Sequence, residues 1–225
     1  TWPRSKGAEF GDALSDMHHL FPTRARSNEV RSNFPFGDID DDDTDFWYRR
    51  TIETRNKPTA NIDLYSEYKF GTFEPIEAHI CNVARAMFYF YTFYRAEADA
   101  VDPSFFERQR ATLCNWHYLE PVDSLEYSRT KRIAFYQDQK PNPFVLDCTL
   151  AKRLYCADVV EDCSGIAVQT SKVANPAEID LRILPNPSDG ASIVQFDLTE
   201  AAQVELVLVN MLGQREQVRS RQLLS

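Results

Sequence analysis

The sequence predicts an α+β chain: a mostly helical block followed by a small, incomplete β-sandwich. Two patterns carry this. Between Pro75 and Gln137 the prolines (Pro75, Pro103, Pro121) fall only where helices should start, and apolar residues recur at threes and fours behind them. From Asp180 the texture changes to short alternating runs, IVQFDL over Ile193–Leu198 and VELVLV over Val204–Val209, separated by turn residues. A third stretch fits neither pattern. Ser15–Gly37, SDMHHLFPTRARSNEVRSNFPFG, gathers two adjacent histidines, a string of arginines and several oxygen donors, and the chemistry is to be sought there.

Taken in order, Thr1–Leu14 is polar and contains glycine, and reads as loop. Asp16–Phe21 reads as a short strand that Pro22 breaks, and Asn28–Asn33 as one or two turns of helix. Asp38–Asp45 holds six aspartates in eight positions. It lacks the alternating ligands, central glycine and closing Glu of an EF-hand, so it reads as a solvated acidic loop, anchored by Phe46-Trp47-Tyr48. Ile62–Phe73, with scattered aromatics, is strand or loop. Ile76–Ala100 has no Gly or Pro and reads as a long helix, with Ile80, Val83, Ala84, Met87, Phe88, Tyr91 and Tyr94 making one face core. Pro103–His117 and Pro121–Gln137 are two further helices, the latter carrying Arg129, Lys131 and Arg132 on its surface, and Phe144–Cys156 is a short closing helix. The composition shifts set a first domain at 1–163, a small polar linker at 164–179 and a second domain at 180–225.

The net charge of the 225 residues is −9, the wrong sign for gripping nucleic acid over a broad surface. A local basic patch in a cleft is still compatible with that balance. No apolar run is long enough to span a bilayer. Five cysteines without a CxxC pair argue against a zinc ribbon or a thioredoxin motif. In an exported protein they imply one or two disulfides with at least one thiol left over; in a cytosolic one, buried thiols. There is no G-x-S-x-G, P-loop, H-E-x-x-H or Rossmann glycine pattern, and seven glycines leave little for phosphate-cradling loops.

The residues Asp16-Met17-His18-His19-Leu20-Phe21-Pro22, then Asn28, Arg31, Asn33 and Phe34 through Gly37, resemble the core motif of the bacterial endonuclease I family, nucleases of the His-Me finger (ββα-metal) type. Three later segments resemble it too: Phe73-Glu74-Pro75 with Val83-Ala84-Arg85-Ala86-Met87-Phe88-Tyr89, Trp116-His117 with Pro121-Val122-Asp123, and Gln137 with Asn142-Pro143-Phe144. The likeness covers residues 1 to about 156. Departures are Cys81-Asn82 where Gly-Asp is usual, Glu120 for Asp, and Asp138-Gln139-Lys140-Pro141 in place of a Gly-Asn-Arg turn.

The resemblance implies metal-dependent endonucleolytic cleavage of DNA, with RNA as a further substrate and little sequence specificity. Such hydrolysis needs a base, a divalent cation and cationic phosphate holders. By resemblance Asn28 is a ligand of Mg2+ or another divalent ion, and Arg31, one turn later, contacts phosphate or organises the site. Arg24, Arg26, Arg49 and Arg50 are candidate nucleic-acid contacts. His18 and His19 are candidate catalytic residues, but strand neighbours point to opposite faces, so at most one faces a cleft and scaffolding is the default role. In the family pattern the base and a second ligand form a Glu-His pair just before a Trp-Pro element. Here Trp2-Pro3 opens the chain, so that pair is expected before Thr1, and residues 1–225 alone are expected to bind metal weakly and cleave poorly. His79 and His117 read as structural.

The tail, with Pro185-Asn186-Pro187, the alternating strands and Asn210-Met211-Leu212-Gly213-Gln214, resembles a type IX secretion sorting domain cut short at its end. That implies export to the cell surface or medium, with the type IX machinery as a partner; separately, the chain is expected to be a monomer. Two rivals stay open: a non-catalytic exported surface or adhesion protein that keeps the nuclease scaffold, and a nuclease inhibitor whose Asp38–Asp45 loop mimics DNA.

Overall fold

The computed structural model describes residues 1–160, Cys163 and, beyond them, 182–184, 193–195, 208–209 and 215–216. The chain divides into two compact units, Thr1–Val168 and Gln169–Ser225. The first is α+β: eight helices and one four-stranded antiparallel sheet among its described residues.

Its centre is helix α3, Glu77–Phe93. The expected single core face is too narrow. Every residue from Ile80 to Tyr91 except Asn82 is buried, so the helix is covered on all sides, as an almost uninterrupted apolar run demands. Helix α5, Glu107–Leu119, packs along it, and Phe88 sits among Phe106, His117, Phe144 and Tyr155. The long helix expected to reach Ala100 breaks at Tyr94, whose backbone leaves the helical region and whose hydroxyl donates to Asp16 Oδ2 at 2.7 Å; a short α4, Arg95–Val101, follows. Helix α5 starts four residues after Pro103, because Asp102 first organises a turn with Ser104 and pairs with Lys6 and Arg108. Helix α6, Ser124–Tyr136, starts where the Asp123 carboxylate accepts from Glu126 N at 2.6 Å.

The acidic loop leads into strand β1, Phe46–Arg49, which lies between β2, Ile52–Thr54, and β3, Ser66–Lys69; β4, Thr72–Glu74, completes the order β2-β1-β3-β4. Two strands, β3 and β4, thus fill the end of the Ile62–Phe73 span, where strand or loop was expected. Trp47 is fully buried and anchors the sheet. The aspartates are largely spoken for: Asp41 and Asp42 face Lys57, Asp43 faces Lys69, and Asp38 accepts from Trp116 Nε1.

Residues 1–14 are not the loop expected from their polarity. Trp2 is buried and stacks on Phe90 at 4.6 Å, a 3-10 turn covers Arg4–Lys6, and α1 covers Gly11–Ser15. Gly7, at φ 111°, closes the turn; a Cβ there would lie 2.6 Å from Glu97 O, so only glycine fits. The single closing helix is split into α7, Pro143–Leu146, and α8, Thr149–Leu154. Asn142 causes the first start by accepting from Phe144 N. Disulfides join Cys114 to Cys156 and Cys148 to Cys163, and Cys81 is a buried free thiol.

In the second unit, β5, Arg182–Leu184, pairs antiparallel with β6, Ile193–Gln195, and β7, Leu208–Val209, with β8, Arg215–Glu216. The linker at 164–179 and the turns at 185–190 and 210–214 lie outside the described residues.

Candidate active site

The Ser15–Gly37 stretch is organised by one carboxylate. Asp16 Oδ1 accepts from His18 N at 2.9 Å, which curls the chain into a 3-10 turn over Met17–His19 where a strand was expected. The strand argument that one histidine faces a cleft therefore fails. Both rings turn inward, each about 1% exposed. His18 Nε2 lies 2.8 Å from Lys140 O, and His19 Nε2 lies 2.8 Å from Ala13 O. Burial lowers both pKa values, His19 to about 4. The same Asp16 receives the Tyr89 and Tyr94 hydroxyls and the Gln137 amide. Burial works to raise its pKa, yet these hydrogen bonds and His18 N together leave it lowered.

Pro22 and Thr23 then lead into α2, Ala25–Arg31, which begins three residues earlier than expected. Asn28 and Arg31 line one cavity of about 400 Å³ together with Thr1, Phe21 and His79. The Asn28 side chain is exposed and hydrogen-bonds to none of the described residues. Arg31 is buried, its guanidinium 4.4 Å over the Phe36 ring, with Nη1 donating to Ser32 O at 3.2 Å. Its Nε and Nη2 have no partner, and no carboxylate pairs with it among the described residues. Burial pushes its pKa down to about 9, so it stays cationic at neutral pH. A buried unpaired cation is costly, and an anion entering the cavity would relieve that cost.

The other proposed phosphate contacts lie outside this cavity. Arg24 is exposed at the N-cap of α2. Arg26 is held by Glu53, through bonds of 2.9 and 3.0 Å, and by Glu29. Arg49 lies over Tyr65, and Arg50 forms the β1–β2 turn with φ 51°.

His79, read as structural from sequence, is the one histidine of the four that lines the cavity. Its ring meets Phe21 edge-on at 4.7 Å, and its Nδ1 lies 3.3 Å from the Asn82 amide one turn along α3. With the amide nitrogen turned to Glu126, at 3.0 and 3.3 Å, Asn82 presents its oxygen to His79 Nδ1–H and leaves Nε2 as the free acceptor. Burial first, with the charge of Arg129 adding to it, lowers its pKa to about 4. The signal in the sequence is the His-x-x-Asn spacing on a helix opened by Pro75. Arg129, expected as a surface cation, is drawn inward: its Nη2 donates to Met17 O and Leu20 O at 2.6 Å each, and its guanidinium sits 4.0 Å over Phe21.

No group of three or more His, Cys, Asp or Glu gathers to hold a metal among the described residues. The cavity thus offers no cage. Asn28 Oδ1 fits as one ligand of a hard, mostly hydrated cation, the mode magnesium prefers.

No curated protein and no solved structure matches the chain. The family model described as Endonuclease I matches residues 3–148. Nearly two thirds of the sequence, containing the α2 cavity and the α3–α7 helical core around it, thus places this chain in the endonuclease I family of nucleases.

Proposed function

We propose that this protein is an exported, divalent-metal-dependent endonuclease that hydrolyses phosphodiester bonds of DNA, and of RNA as a second substrate, with little sequence specificity. The observation that carries it is the pairing, one helical turn apart on α2, of a free amide with a buried guanidinium bearing two unpartnered N–H groups. In this mechanism Arg31 Nε and Nη2 donate to the non-bridging oxygens of the scissile phosphate and hold it over α2. Asn28 Oδ1 would hold the divalent ion, which when bound neutralises phosphoryl and leaving-oxygen charge. Phe21, Phe36 and Phe73 keep one side of the cavity apolar, which strengthens the Arg31–phosphate attraction.

By resemblance the base and the second ligand are a Glu-His pair ahead of a Trp-Pro element, and residues 1–225 contain no such pair. Thr1 lines the cavity, its amine donating to His19 O at 2.6 Å. In this mechanism His18 and His19 are scaffolding. Export by the type IX machinery to the surface or medium rests on the tail motifs; the two disulfides fit an oxidising compartment.

The test is nicking of supercoiled plasmid by the full-length protein, in Mg2+ and in chelator. Cleavage that chelator abolishes is expected; an intact, metal-indifferent plasmid would favour the non-catalytic scaffold. Robust cleavage by residues 1–225 alone would put the base inside them, and the burial of His18 and His19 would assign it to His79.

A further inference from the structure

The segment 17–23 is a ridge between two depressions. Phe21, Pro22 and Thr23 face the Asn28–Arg31 cavity. Met17 and Leu20 face the other way, into a groove of about 420 Å³ whose second wall is the Leu125, Ser128, Arg129, Arg132 and Ile133 face of α6. Leu20 and Phe21 are consecutive, with Cα atoms about 3.8 Å apart. A nucleic-acid strand advances roughly 3.4 Å per phosphate. A strand leaving the cavity therefore reaches the groove within a few nucleotides.

Many basic side chains elsewhere are committed to carboxylates: Lys6 and Arg108 to Asp102, Lys57 to Asp41 and Asp42, Arg110 to Glu107 and Asp158. Among the described residues no Asp or Glu lines the groove. Arg129 spends Nη2 on two backbone carbonyls and has no ion pair, and the exposed Arg132 has neither ion pair nor hydrogen bond among the described residues. Beside them stand exposed apolar side chains, Leu125 at 78% and Leu20 at 41%. Unpaired guanidiniums next to apolar surface suit a sugar-phosphate backbone, whose charges alternate with apolar sugar faces. A chain of net charge −9 is expected to confine such contacts to a narrow track.

Resting on the nuclease function proposed above, we propose that the α6 groove is a second phosphate station, where Arg132 and Arg129 bind the nucleic-acid backbone a few nucleotides from the phosphate held at Arg31. The occupant is a strand of the substrate, and the groove contributes binding without touching the bond that breaks. Arg132 is the residue to test, because Arg129 also fixes the Met17 and Leu20 carbonyls.

The experiment compares the full protein with Arg132→Ala and Arg132→Glu on plasmid DNA and on bis(p-nitrophenyl) phosphate, a diester with no flanking phosphates. On DNA, KM should rise severalfold for Arg132→Ala and more for Arg132→Glu, with kcat unchanged. Removing one arginine–phosphate ion pair should make the slope of log binding constant against log salt shallower by about 0.9. On the small diester both variants should match the wild type. Unchanged KM and salt slope on DNA would overturn the proposal, as would equal losses on both substrates, which would mean the change had disturbed the catalytic cavity. A concentration-dependent dimer that Arg132→Glu abolishes, with DNA kinetics intact, would make the groove a self-association face and overturn it too. A wild type that cleaves neither substrate would instead bring down the nuclease function, and the station with it.

Discussion

Asn28 and Arg31 stand one turn apart on α2 and line the same cavity in opposite states: the amide is exposed and free, the guanidinium buried with two N–H groups unpaired. Packing alone does not account for such a pair. A buried cation without a counter-charge weakens the fold, and it persists where an incoming anion supplies the missing partner.

That arrangement predicts opposite responses of stability and activity at position 31. Arg31→Met keeps the contact with Phe36 and removes the desolvated charge, so the melting temperature should hold or rise. Loss of two charge-assisted hydrogen bonds of about 1.5–3 kcal/mol each should lower kcat/KM on DNA by roughly a hundredfold to ten-thousandfold. Thermal melting and nicking kinetics on one preparation check both. A variant that melts lower yet cuts normally would make Arg31 a structural residue.

The pair Arg85–Glu126 should behave in the contrary way. Its two bonds, 2.8 and 2.7 Å, tie α3 to α6 in the interior, and Arg85 also reaches the carbonyls of His117 and Glu120. Glu126→Ala strands a buried guanidinium and should cost about 3–5 kcal/mol in denaturant unfolding, while Arg85→Met with Glu126→Leu should recover most of it. A single variant within about 0.5 kcal/mol of wild type would contradict this.

The folded protein should also lose stability on the alkaline side. Burial, with neighbouring carboxylates, raises Glu67 to about 7 and Glu74 to about 8 from 4.5; the two are cross-strand partners on β3 and β4. A group whose folded pKa lies above its unfolded value contributes its full stabilisation below the unfolded value. That contribution is lost as pH rises through the folded one, here between about 4.5 and 8. Melting should therefore fall from pH 6 to pH 9, and Glu74→Gln should narrow the difference. The histidines act on the acid side. His19, His79 and His117 are lowered to about 4 by burial first, so their contribution is complete above 6.5 and is lost as pH falls toward 4. Equal alkaline losses in wild type and Glu74→Gln would exclude the carboxylate cluster as the cause.

Much of the first unit was legible because its signals are local. Proline starts marked α5 and α6 to within a few residues, and the threes and fours of Ile80–Tyr91 marked α3. What escaped depends on distant partners. The turn at Met17–His19 exists because Asp16 is drawn to Tyr89, Tyr94 and Gln137, more than seventy residues away. Trp2 reads as part of a polar loop until α3 supplies Phe90 to stack on. In the candidate site, Asn28 and Arg31 share a cavity as their spacing implied, whereas His79 enters it from α3 and could be seen there only once α3 and the 17–23 ridge were packed together. The non-glycine turn at Asp138 and Gln139, where the family has Gly-Asn, is accommodated at φ 53° and 59°, a left-handed conformation that Gly and Asn adopt more readily.

The central claim is that Asn28 and Arg31 serve phosphodiester hydrolysis, and plasmid nicking in Mg2+ by the full-length protein, against the same protein carrying Asn28→Ala, tests it most directly. The account predicts a fold that melts as the wild type does and turnover lower by roughly a hundredfold or more. Turnover unchanged by Asn28→Ala would contradict it.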